Sequence, residues 1–281
     1  TRFSNCDRAV DIQAGDNSVM LLNCLIRDSI EGVSAGTNRM LIVNSTFENL
    51  SRSAIGATGA VSSVYAANCL FAGVTNLAFS SNTQCSVVFT NNAFYNSSTA
   101  IMGTSPISVT GNPFQVGAQG SNYLNQGVGL VNAGTAPADT LGFYHFTTAT
   151  DHHKELNSVV DIGFHYATTN DSDSDGLSDF IEDRNGNGVV DTGECNGSDD
   201  DSDNDGLGDG EEYWRYGTDP LLSDTDVDGS TDGAEVLNGS NPLDPASFLA
   251  TVSGTISYSG AQTGQVRIRA CNYLGGENSV L

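Results

Sequence analysis

Apolar and polar residues alternate in short recurring runs along the first 115 residues. Five runs align: NSVMLLNCLI (17–26), NRMLIVNSTF (38–47), SSVYAANCLF (62–71), CSVVFTNNAF (85–94) and SPISVTGNPF (105–114). Each has the period of two that a strand requires. Val19, Met40, Val64, Val87 and Ile107 fill one inward column, and Leu21, Ile42, Ala66, Phe89 and Val109 the next. Asn23, Asn44, Asn68 and Asn91 follow, with Gly111 in the fifth row. Asn and Gly tolerate a left-handed backbone, so this column predicts a sharp corner. A stack of small residues comes next: Cys24, Ser45, Cys69, Asn92 and Asn112. The runs end on Ile26, Phe47, Phe71, Phe94 and Phe114, at spacings of 21, 24, 23 and 20. Constant strands joined by variable turns predict a coil. Its turns stack at about 4.8 Å, and each buries its neighbour's inner face. Thr1–Cys6 reads as the tail of an earlier coil, with Phe3 in the second inward column.

These columns resemble the right-handed parallel β-helix repeats of large secreted bacterial proteins. The resemblance spans residues 1–168, and VVDIGFHY (159–166) resembles the closing strand at the end of such β-helices. Many β-helices are polysaccharide lyases or hydrolases, which need carboxylates converging on one face of adjacent coils. Asp7, Asp11, Asp16, Asp28, Glu31 and Glu48 share no column and read as solvated turn residues. His145, His152, His153 and His165 follow the clear coils, and His152 and His153 read as part of a polar loop, with metal ligation as the alternative. The expectation is a protein that is not an enzyme, with no catalytic residues.

Charge changes the picture further along. Of the net charge of −24, residues 170–244 carry −21, from 23 acids and two bases. Such a concentration predicts a local binder of cations. Its spacing repeats a twelve-residue calcium loop: oxygens at positions 1, 3, 5, 9 and 12, glycine at 6 for the bend, and a backbone carbonyl at 7. The first loop has Asp171, Asp173, Asp175, Leu177, Asp179 and Glu182, and the second Asp183, Asn185, Asn187, Val189, Asp191 and Glu194. The third has Asp201, Asp203, Asp205, Leu207, Asp209 and Glu212, and the fourth Asp224, Asp226, Asp228, Ser230, Asp232 and Glu235. Gly176, Gly188, Gly206 and Gly229 stand at position 6. Position 8, aliphatic in paired EF-hands, is Ser178, Val190, Gly208 and Thr231.

The segment therefore resembles thrombospondin type 3 repeats and related bacterial calcium repeats, whose linking phrases YGTDPLLSDTD and NGSNPLDP match. The resemblance implies a chain wrapped round about four Ca2+ ions, which serve structure and not signalling. Modules of this kind bind calcium at about 10⁻⁴–10⁻³ M, which suits an extracellular or cell-surface setting. Short helical turns are expected at Leu177–Asp183 and Asp209–Tyr216, with Tyr213, Trp214 and Tyr216 packing the module.

Three domains follow: a parallel β-helix with closing strand (1–168), the calcium-binding repeats (169–248) and an incomplete β-sandwich or strand-exchange hairpin (249–281). The last has strands near Val252–Tyr258 and Gln265–Ala270, and resembles the opening of a carboxypeptidase-regulatory-type β-sandwich. Two strands alone are marginal, so their partners are expected elsewhere, for instance in another copy of the chain. Lys154 is the one lysine, which argues against nucleic acid, and no apolar run approaches the length of a membrane span. The six cysteines form no CxxC pair, and Cys195–Cys271 is one disulfide pairing among several. The sequence thus reads as a secreted, calcium-stabilised structural protein, a candidate subunit of a head-to-tail filament. The alternatives are a glycan-binding adhesin arm and a fragment of a polysaccharide-degrading β-helix.

Overall fold

A computed structural model describes residues 1–12, 18–35, 39–57, 63–80, 86–97, 103–247, 271–272 and 279–280. Two compact units divide it, Thr1–Asp200 and Asp201–Leu281.

The first unit winds in coils of three strands. They are β1 (Arg2–Ser4), β2 (Arg8–Ile12) and β3 (Ser18–Leu22); β4 (Leu25–Arg27), β5 (Glu31–Ala35) and β6 (Arg39–Val43); β7 (Thr46–Glu48), β8 (Ser53–Ala57) and β9 (Ser63–Ala67); and β10 (Leu70–Ala72), β11 (Ala78–Ser80) and β12 (Ser86–Thr90). β13 (Ala93–Tyr95) and β14 (Ile107–Val109) follow. Equivalent strands pair in parallel, giving sheets of six, four and four strands, so the chain forms a parallel β-solenoid. The register is the expected one: Val19, Met40, Val64 and Val87 align across β3, β6, β9 and β12, as do Leu21, Ile42, Ala66 and Phe89. Phe47, Phe71 and Phe94 stack at 5.1 and 5.5 Å in the central core.

The corner after β3, β6, β9 and β12 is left-handed, with φ of 52°, 46°, 54° and 51° at Asn23, Asn44, Asn68 and Asn91. The stack beyond it is functional in the ladder. Ser45 Oγ accepts from Cys24 N, and Asn92 Oδ1 accepts from Cys69 N, so each coil satisfies its neighbour's backbone. A second left-handed column, unread in the sequence, runs through Asn5, Asp28, Asn49, Gly73 and Asn96 after the first sheet.

Three expectations are corrected. Phe3 pairs with Ile26, so it lies in the terminal aromatic column. The fifth run leaves the repeat: Ile107 aligns with Ala93, not Val87. The cause is Pro106, which would stand opposite Ser86 and has no N–H for the ladder. Phe114 instead opens an antiparallel pair, β15 (Phe114–Gly117) with β16 (Gly120–Leu124). Residues 159–166 do not close the helix as a stacked strand. They run across the coils along the asparagine corner. Gly163 N donates to Asn68 O, Phe164 N to Thr46 Oγ1 and His165 N to Asn23 Oδ1, and Asn44 Nδ2 donates to Asp161 O. Alternate residues Val160, Ile162 and Phe164 are buried in three separate apolar clusters. Only Tyr166–Ala167 (β18) is a strand, antiparallel to Phe146–Thr147 (β17).

Several acids of the coils, expected to be solvated turn groups, are ion-paired. Glu31 lies 2.8 Å from Arg8 and 2.9 Å from Arg52, and Arg27 pairs with Asp28 at 2.7 Å and Glu48 at 3.5 Å. Asp16 lies outside the described residues. Among the described residues, no helix is long and apolar enough to cross a membrane.

In the second unit, the third and fourth loops carry short helices. The hairpin expected at 252–270 lies outside the described residues, as does the side chain of Cys271. Cys271–Asn272 pairs antiparallel with Ser279–Val280.

Candidate metal centre

The four loops fold by one local rule. The Asp at position 1 accepts backbone N–H groups from further along its own turn. Asp201 Oδ2 takes Gly206 N at 2.9 Å, Asp224 Oδ2 takes Gly229 N at 2.8 Å, and Asp171 Oδ2 takes Gly176 N at 3.1 Å. Position 3 accepts from the amide of position 5, and position 5 from that of position 7. Short polar side chains bonding the backbone two residues on drive such turns. Position 6 is glycine because the backbone demands it: φ is 96°, 78°, 95° and 99° at Gly176, Gly188, Gly206 and Gly229. Position 4 is left-handed too, at Ser174, Gly186, Asn204 and Val227.

Helices start at position 9 in three loops: α1 (Asp179–Glu182), α2 (Asp209–Glu211) and α3 (Asp232–Asn238). A π-helical turn, Glu212–Tyr216, continues α2, so the two expected helical turns are present and α3 is an addition. The helices explain position 8. Ser178, Gly208 and Thr231 are helix N-caps, residue types suited to that role, and Thr231 Oγ1 accepts from Ala234 N. They also bring the position-12 glutamate back toward the turn.

The interior of these loops is made of carboxylates. Asp209, Glu212, Asp232 and Glu235 are 0% exposed, and Leu177 and Leu207 are buried beside the first and third turns. One oxygen from each of Asp171, Asp173 and Asp175 lies within 4.8 Å of the others; the same holds for Asp201, Asp203 and Asp205, and for Asp224, Asp226 and Asp228. Several oxygens are buried without a hydrogen bond: Oδ2 of Asp173, Asp203, Asp226, Asp228 and Asp232, Oε2 of Glu212, and both carboxylate oxygens of Glu235. Burial raises the Glu212 carboxyl to about 8, with Asp203, Asp205 and Asp209 adding to the rise. Burial likewise raises Asp203 to about 6, helped by Asp205, Asp201 and Asp209. Buried, unpaired carboxylates are costly, and this all-oxygen donor set fits a hard divalent cation.

Position 9 has a second task. Asp179 and Asp209 each accept from both the N–H and the hydroxyl of the serine at position 2, Ser172 and Ser202. Asp232 Oδ1 accepts from Thr225 N. This clasp is absent from the sequence reading, although the Asp-Ser/Thr-Asp pattern carries it. Gly233 N donates to Asp205 Oδ2 at 2.7 Å, which docks the start of α3 on the third loop. A Cβ on Gly233 would lie 2.6 Å from the backbone oxygen of Asp205, so a larger residue there would force the backbone to shift.

The second loop departs from the other three. Arg184 replaces the serine or threonine at position 2, and Val190 replaces the N-cap, so no helix follows. Val189 at position 7 is exposed. Glu194 accepts Asn185 N and Asp191 N, one on each oxygen, and Asp191 Oδ2 takes the side-chain amides of Asn185 and Asn187.

Tyr213 and Trp214, expected to pack the module, are 48% and 63% exposed. Carboxylates occupy the interior in their place. His152 contacts Tyr123 Oη, and His153 pairs with Asp151 at the surface. No protein family, curated protein or solved structure compared with the chain matches it.

Proposed function

We propose that the chain is a calcium-stabilised extracellular structural protein, in which a β-solenoid is followed by loops that complete their fold on Ca2+. The observation that carries this reading is the set of buried, unbonded carboxylate oxygens at Glu212, Asp232 and Glu235. An acidic surface serving solubility would leave those groups in water. Here they are withdrawn from water into turns whose other oxygens already hold the backbone. The residues that would hold the ions are those at positions 1, 3, 5, 9 and 12, with the backbone carbonyl at 7. A bound Ca2+ supplies positive charge and oxygen coordination in place of lost hydration. The chain's own residues supply the rest: Asx turns, glycine bends and N-caps that set the oxygens in place before an ion arrives.

The β-solenoid supports a structural reading as well. Its Glu31 and Glu48 are held by arginines from neighbouring coils, and Asp28, paired with Arg27 beside it, accepts from Asn49 of the next coil, so they brace the stack. The test is thermal unfolding followed by circular dichroism, in millimolar calcium and in excess chelator. Calcium is expected to raise the midpoint of a distinct transition, and equal curves would sink the proposal. The expected head-to-tail filament involves residues 252–270, and electron microscopy with and without chelator tests it separately. Single particles under both conditions would end that part of the reading.

A further inference from the structure

The four-ion expectation treats the loops as equivalent, and their hydrogen bonding does not. In the third and fourth loops, the glutamate at position 12 is fully buried and keeps at least one oxygen without a hydrogen bond. In the second loop, Glu194 spends both oxygens on its own backbone, at 3.0 Å to Asn185 N and 3.1 Å to Asp191 N. Asp183 Oδ1 accepts from Gly186 N and Asn187 N, and its Oδ2 from Gly188 N and His145 Nε2 at 2.8 Å. Asn185 Oδ1 takes Asn187 N, and Asn187 Oδ1 takes Val189 N. The bonds at positions 1, 3 and 5 follow the rule common to all four loops; what differs is that both oxygens of Glu194 are taken, and that Asn185 and Asn187 lack the second carboxylate oxygen left unbonded at Asp203, Asp226 and Asp228. The charge is lower too: positions 1, 3, 5, 9 and 12 hold three carboxylates here and five in each other loop. Calcium affinity in such loops follows ligand charge.

The second loop is also fastened to the end of the solenoid inside the first unit. Tyr144 N donates to Gly186 O at 3.0 Å, and His145 meets Asp183. Gly142 and Gly188 pass so close to Asn185 O and the Tyr144 ring that a Cβ on either would clash.

From the satisfied oxygens and this docking we infer that the second loop keeps its fold without an ion. It acts as a calcium-independent anchor at the end of the solenoid, and it is the weakest calcium site of the four. This inference rests on the calcium reading above but makes a separate claim about residues 183–194.

Hydrogen-exchange mass spectrometry of the full chain, with calcium and with excess chelator, tests it. Peptides covering 201–212 and 224–235 are expected to exchange about tenfold faster or more on chelation, whereas one covering 183–194 changes by less than about twofold. Equal loss of protection in 183–194 overturns the anchor and leaves the calcium reading standing. No change in any loop, with no calcium bound, overturns the calcium reading and the anchor with it. A variant separates the roles further. Glu194→Gln removes a backbone clasp, so exchange in 183–194 should rise equally with and without calcium. A rise seen only in calcium would assign Glu194 to an ion and refute the anchor. Glu235→Gln is the control, and its effect should appear in 224–235 with calcium present.

Discussion

Val227 holds a left-handed backbone, φ 63°, at position 4 of the fourth loop, with its side chain 82% exposed. The equivalent residues Ser174, Gly186 and Asn204 adopt the same conformation with less steric conflict. A β-branched residue there costs about 1–2 kcal/mol, and an exposed side chain recovers little of it. Val227→Asn is therefore expected to stabilise the loop by about 1 kcal/mol, read as a higher urea midpoint in calcium. An unchanged or lower midpoint would show that the strain is not borne by this residue. Glu212 gives the pH dependence of the same machinery. Without calcium its carboxyl lies near 8, well above the ordinary value of 4.5, because of burial and then Asp203, Asp205 and Asp209. A folded-state value that is raised means stability present below the ordinary value and lost as pH climbs through about 8. In chelator, the loops should thus unfold more easily at pH 8.5 than at pH 5, whereas in calcium the ion replaces the proton and flattens the dependence. A chelated protein more stable at pH 8.5 would contradict this assignment.

Among the elements, the asparagine corner does two jobs. Asn68 takes φ 54°, donates Nδ2 to Thr135 Oγ1 at 3.0 Å and accepts Asn91 Nδ2 at 3.0 Å, all while buried. Asn68→Ala is expected to cost about 2–4 kcal/mol, combining left-handed strain with stranded polar partners. Asn68→Gly keeps the backbone and should cost less, and equal losses in chemical denaturation would assign the effect to the side-chain ladder alone. This corner was legible because four asparagines recur at one place in the strand pattern. The second corner was not, because Asn5, Asp28, Asn49, Gly73 and Asn96 meet the same backbone demand with three residue types. The fifth run was misread because the spacing to Phe114 imitates the repeat, although Pro106 signals that the ladder stops. In the loops, the calcium spacing was plain. The helices after position 8 were only partly so, since Ser178, Gly208 and Thr231 are residue types that favour N-caps. Burial of the carboxylates could not be read from spacing, which fixes the order of the ligands and not which oxygens the backbone claims.

At the scale of the whole chain, residues 170–244 hold nearly all of the net negative charge, −21 of −24. The Asp triplets bring their oxygens within 4.8 Å. At about 0.1 M salt the screening length is about 10 Å, so monovalent ions barely weaken repulsion at that distance. A divalent ion inside the turn acts where screening does not. Chelation should therefore enlarge the hydrodynamic radius of the protein, measured by size-exclusion chromatography with light scattering. Added calcium should restore the compact radius, and sodium chloride at the same ionic strength should not. Magnesium should restore it less well, because it holds its water tightly and demands a smaller, more regular oxygen cage. Recovery by sodium alone would reduce the loops to a general charge effect. Recovery by calcium alone would place the stabilisation in the twelve-residue turns, where the chain has already withdrawn its carboxylates from water.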